Sequence, residues 1–191
     1  MTDRLATWKV WWASAAVFVV FAGVFFASSA PFAVSHVEAL CGEAPLDVRF
    51  TSSAADVERF LEACGPAGRD AYRNMQVADL FYPAVFGLFL ASSLALALRR
   101  LFPGRPSVVG LAAVPLIAAG FDYVENLFAW AALAAFPEPA ATNSLLGVAS
   151  AAKTTLFWVA GALVLLTAGA IVARGVRRRI TRRAVPAAGL G

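Results

Sequence analysis

Apolar residues gather into four runs in this chain, and the polar residues fall between the runs in a regular order. Val10 to Ala30 holds no charged residue. A second run, from about Val77 to Leu98, holds only Asp79. The third extends from about Ser107 to Phe136 and holds Asp122 and Glu125. The last, from about Leu145 to Ala173, holds only Lys153. A bilayer core about 30 Å thick needs about 20 apolar residues per helix, and each run reaches that length. The pattern predicts an all-α fold, a transmembrane four-helix bundle forming one membrane domain.

Between the first two runs, residues 31–76 form the only sizeable polar segment. Within SSAADVERFLEAC, Ser53 is placed to cap a helix, with Asp56 three residues on. Val57, Phe60, Leu61 and Cys64 then share one helical face. Gly65-Pro66 ends that helix and begins another, because glycine suits a helix end and proline a first turn. The second helix, AGRDAYRNMQ, is expected to run directly into the second span. The loop thus becomes a short helical hairpin across one mouth of the bundle.

Composition agrees with a lipid solvent. Of 191 residues, 60% are hydrophobic and 15% charged, against roughly 45–50% and about 25% in soluble domains. Charge adds direction. Arg4, Lys9, Arg99, Arg100, Arg105, Arg174, Arg177, Arg178, Arg179, Arg182 and Arg183 fall on one side. Only Arg49, Arg59, Arg69 and Arg73 lie in the first loop, beside seven acids. Basic loops stay cytoplasmic, which predicts a bacterial inner-membrane protein with both termini inside and the long loop outside. Trp8, Trp11 and Trp12 suit the inner aromatic belt and Trp130 the outer one. Arg4, Lys9 and Ser28-Ser29-Ala30 also fit a secretory signal, but the apolar run is long for one, so a retained signal anchor is expected. RGVRRRITRR, opening the tail of residues 174–191, reads as a topology determinant touching lipid headgroups rather than a nucleic-acid patch. Cys41 and Cys64 lie together in a loop assigned to an oxidising compartment, where either a disulfide or two buried thiols is open.

The carboxylates are the unusual feature. Asp122, Glu125 and Asn126 stand at i, i+3 and i+4 and share a helix face. Counting 1.5 Å per residue puts Asp122 about 22 Å and Glu125 about 27 Å from the cytoplasmic edge, with Lys153 about 12 Å in from the other side. Asp79 lies near the outer edge, so three helices contribute to one layer. An ionised group costs about 2.5–3.5 kcal/mol at mid-bilayer, so this face should point inward. Lys153 is expected to pair with Asp122, leaving Glu125 or Asp79 to be held neutral. Pro83 frees the carbonyl of Asp79 and Pro115 that of Leu111, since proline donates no amide hydrogen. Gly87, Ala91 and Ala95 give the second span a smooth packing side.

GPAGRDAY, DLFYP, FDYVEN and Lys153 together resemble a pattern of uncharacterised bacterial four-span integral membrane proteins, over most of the chain from Asp56 onward. The resemblance implies the four-span architecture and a shared site, and no activity. Arg73 and Pro83 also keep a separation similar to that in the eicosanoid and glutathione metabolism membrane enzymes. Val77 stands where that pattern has Asn, Asp79 is one residue out of step, and the loop falls on the opposite side, so their glutathione site does not carry over.

Three functions fit these residues. In a membrane enzyme acting on a lipid-like substrate, Asp122 and Glu125 would be general acid and base, with Asn126, Asp79, Lys153 and Tyr123 binding substrate. In a proton- or cation-coupled transport module the same carboxyls would be the ion site, and so few helices would imply a homo-oligomer. In a structural or accessory subunit the polar layer would only hold the helices together. No bound cofactor or metal is implied. G-x-x-x-x-G-K-[ST], G-x-S-x-G and H-E-x-x-H are all missing, and His36 is the single histidine, which disfavours nucleotide chemistry and zinc hydrolysis.

Overall fold

A computed structural model describes residues 5–184, with side chains through residue 181. Arg4, the side chains of Arg182 and Arg183, and the end of the basic tail lie outside the described residues. The described chain is all helical: α1 (Trp8–Ala27), α2 (Val34–Cys41), α3 (Ala54–Ala63), α4 (Gly65–Asp79), α5 (Tyr82–Leu101), α6 (Val114–Ala135) and α7 (Asn143–Ala184). Short 3-10 segments occupy Leu46–Val48 and Pro106–Ala113. Four helical stretches, Trp8–Ala27, Gly65–Leu101, Pro106–Ala135 and Asn143–Thr181, are long and apolar enough to cross a membrane.

Helices α5, α6 and α7 pack on one another, and α1 lies against the outside of α5. Two polar contacts hold α1 there. The indole of Trp11 donates to Ser93 Oγ at 2.9 Å, and Ser14 Oγ meets Ser92 Oγ at 3.2 Å. Small residues allow close approach elsewhere. A Cβ at Gly87 would stand 3.0 Å from that of Ala119, so the glycine lets α5 and α6 nearly touch. Ala91 and Ala95 continue this buried side of α5.

Residues 30–79 form a lid over one end of the bundle. Its apolar core includes Val37, Leu46, Val57, Phe60, Tyr72 and Met75, and joins Ala129, Leu133 and Leu146 of the bundle. Helix α3 begins at Ser53 with a reciprocal cap. Hydrogen bonds from the Ser53 hydroxyl and amide, with help from Arg59, hold the Asp56 carboxyl well below the ordinary carboxylate range. A depressed carboxyl stabilises the fold fully above its unfolded pKa, so the cap's contribution declines as the pH falls from the ordinary carboxylate range through the lowered value.

Cys41 of α2 and Cys64 at the end of α3 form a disulfide. Gly68 lets α4 pass beside it, since a Cβ there would lie 3.0 Å from Cys41 Sγ. The bond closes 23 residues of sequence separation, which corresponds to about 3 kcal/mol of restricted unfolded chain. Cys41→Ser should therefore lower the melting temperature in detergent, and reductant should do the same to the wild type. Identical melting with and without reductant would mean the lid core alone holds this region.

Three elements differ from the sequence pattern. Helix α2 was not expected. It is eight residues long, with Val34, Val37 and Cys41 buried, and ends at Gly42 with φ 75°. The second lid helix does run into the second span, but with a break: Leu80 and Phe81 keep helical backbone angles while the α-helical bonding is interrupted, and α5 starts at Tyr82 with Pro83 in its first turn. The third span opens as a 3-10 segment, where the Val114 amide donates to the Leu111 carbonyl that Pro115 leaves free. A 3-10 helix rises about 0.5 Å more per residue than an α-helix, so Asp122 lies about 4 Å further from that end than a uniform α-helix would put it.

Candidate functional site

The break before α5 creates the first polar contact of the site. With Pro83 in place, the Asp79 carbonyl loses its helical partner. Asn126 of α6 supplies one: its Nδ2 donates to Asp79 O at 3.2 Å. Nearby, the Tyr123 hydroxyl donates to the Leu80 carbonyl at 3.0 Å. Two side chains of FDYVEN therefore cap the broken helix. Tyr123 is exposed and does not line the aromatic cavity beside Lys153.

The same face of α6 also meets Lys153. Its Nζ contacts Glu125 Oε2, lies 3.3 Å from Asp122 Oδ1, and donates to the Asp47 carbonyl at 2.8 Å. Both carboxyl contacts are ion pairs with the buried ammonium. Ser150, one turn earlier on α7, donates to Glu125 Oε1. Lys153 thus bridges two carboxylates, whereas the sequence pattern pairs it with Asp122 alone. Glu125 is fully buried and Asp122 is 3% exposed.

Asp47 ties this layer to the lid. Its carboxylate accepts from Tyr72 OH at 2.7 Å and from Gln76 Nε2 at 2.8 Å, both on α4. Sequence reasoning missed Asp47, Tyr72, Gln76 and Ser150. Part of the signal was present, since Tyr72, Gln76 and Asp79 follow at i, i+4 and i+7 on one helix face. Asp47 gave none, being one acid among seven in the loop.

A cavity of about 200 Å³ adjoins the layer. Asp122, Lys153 and Thr154 give it a polar floor, and Phe26, Tyr82, Phe86 and Phe157 line its walls. Asp47 and Val48 of the lid close the top. Phe26 of α1 and Val48 are the exposed members of its lining. Tyr82 is held by neighbouring rings, with centroids at 5.3 Å for Phe86, 5.4 Å for Phe26 and 5.6 Å for Phe25. Its hydroxyl makes no hydrogen bond among the described residues. Two larger hollows along α1, of about 460 and 390 Å³, include none of the carboxylates.

No family model, curated protein or solved structure matches this chain. Its chemistry is therefore read from the cavity. Asp122 and Lys153 together with Glu125 set an acid, a base and a cation within one contact distance, beside a phenol. Such a group can move a proton on a bound molecule, or hold a polar head while aromatic walls cover its apolar part. Glu125, Asn126 and Asp79 lie behind it and do not line the cavity.

Proposed function

We propose that this is a bacterial inner-membrane protein with an extracytoplasmic lid, which binds a lipid-like molecule at Asp122 and carries out acid–base chemistry on it. The observation that carries this reading is the cavity's position. It joins a buried Asp–Lys pair to aromatic walls, beside Phe26 and Val48, the exposed apolar residues of its lining. Eleven basic residues against four support the orientation, and a disulfide in the lid fits an oxidising compartment. The convergence of DLFYP, FDYVEN and Lys153 supports treating them as one site.

In this reading Asp122 is the general acid or base and Lys153 stabilises developing negative charge. Glu125 positions Lys153, and Asn126 and Asp79 position α6 against the end of α4. A structural role accounts for the buried web around Asp47 and Glu125, but gives no reason for an open aromatic cavity beside Asp122.

The test is thermal unfolding in detergent with dodecanol, dodecanoate or dodecylamine. At about 100-fold excess over Kd, at least one should raise Tm by about 5–10 °C. Asp122→Asn should lose that rise. No stabilisation by any of the three, or an equal rise in the variant, would overturn the proposal.

A further inference from the structure

Phosphate and carboxylate are the commonest lipid head charges, and this cavity is built against both. Among the described residues this layer holds four buried carboxyl side chains, from Asp47, Asp79, Asp122 and Glu125, and the ammonium of Lys153, which contacts the last two. Lys153, which shares the cavity floor, is held by Glu125, Asp122 and the Asp47 carbonyl. Asp47 is already satisfied by Tyr72 and Gln76. That leaves Asp122, which lines the cavity, is 3% exposed and has Lys153, 3.3 Å from Oδ1, as its ion-pair partner.

What faces Asp122 across the cavity is aromatic. Phe26, Tyr82, Phe86 and Phe157 form the walls, and Phe86 and Phe157 meet edge to face at 5.1 Å. Ring faces attract cations, more strongly once water is excluded. At about 200 Å³ the cavity is smaller than the roughly 300–1,000 Å³ typical of whole-ligand pockets. It suits a compact head, with the chain leaving past the exposed residues Phe26 and Val48.

Resting on the proposed lipid-binding reading, we infer that the occupant is a single-chain amphiphile with a protonated amine head. The ammonium sits against Asp122, within the aromatic walls, and its alkyl chain lies along the flank of the bundle.

The experiment compares three twelve-carbon probes, dodecylamine, dodecanol and dodecanoate, by thermal shift and by isothermal titration on the full chain in neutral detergent. Dodecylamine should bind tightest. Asp122→Asn should weaken it by about 30-fold or more. Phe157→Leu should weaken the amine about two- to five-fold and leave dodecanol nearly unchanged. If Asp122→Asn does not fold, the Phe157 variant decides alone. Equal losses for amine and alcohol in that variant would overturn the inference. Tighter binding of dodecanol or dodecanoate would overturn the amine head while leaving the lipid site standing. No binding by any probe would remove both.

Discussion

Replacing Lys153 with methionine should destabilise the protein by about 3–5 kcal/mol, the usual cost of stripping one partner from a buried ionic group. Three interactions go at once: the contacts to Asp122 and Glu125, and the hydrogen bond to the Asp47 carbonyl. Methionine fills most of the volume, so the loss is electrostatic rather than a cavity. The carboxylates left behind have no other cation beside them among the described residues. Adding Asp122→Asn and Glu125→Gln to Lys153→Met should therefore recover much of the loss, since neighbouring groups couple strongly. Thermal unfolding of the purified variants in detergent measures both steps. A single variant as stable as wild type, or a triple variant no better than the single one, would mean that Lys153 does not neutralise the layer.

Gly147→Ala should unseat the lid at a cost of about 3 kcal/mol, at the upper end of ordinary overpacking. A Cβ at this position would stand 2.0 Å from Ser52 O and 2.7 Å from Ser52 N. Backbone cannot swing aside as a flexible side chain can, so the segment holding Ser52 must lift. The Thr51 hydroxyl, which donates to Gly147 O at 3.1 Å, would be displaced with it. Gly161 provides the control, because its added Cβ meets nothing within 4 Å on the same helix. Gly161→Ala should be neutral or stabilising by about 0.5–1 kcal/mol. Protease sensitivity of residues 42–53 reports lid docking directly, and equal digestion of the two variants would contradict the packing argument.

The four spans were legible because a water-soluble fold of this size could not bury four apolar runs of bilayer length. The inward face of α6 was legible too, since three polar groups at i, i+3 and i+4 must share a side. Pro83 marked the Asp79 carbonyl as needing a partner, and pattern alone could not say that Asn126 would supply it. Other features depend on contacts between distant parts of the chain. Asp47 joins the site only because the lid core sets its turn above Lys153. Tyr82 became part of the cavity only because α1 brings Phe25 and Phe26 against it. Helix α2 was within reach, since Val34, Val37 and Cys41 repeat on one face and Gly42 ends the run. Its eight residues are too few for periodicity to stand out from the surrounding loop.

Helix α7 runs 42 residues without a proline, about 63 Å of continuous rod. Lys153 grips it near one end, and the cluster of Arg174, Arg177 and Arg178 stands toward the other. From Lys153 to Ala184 is about 47 Å, and between them Arg174 ties the shaft to α5 by donating to the Leu101 carbonyl at 2.8 Å. One rigid rod therefore joins the buried carboxylate layer to the basic end.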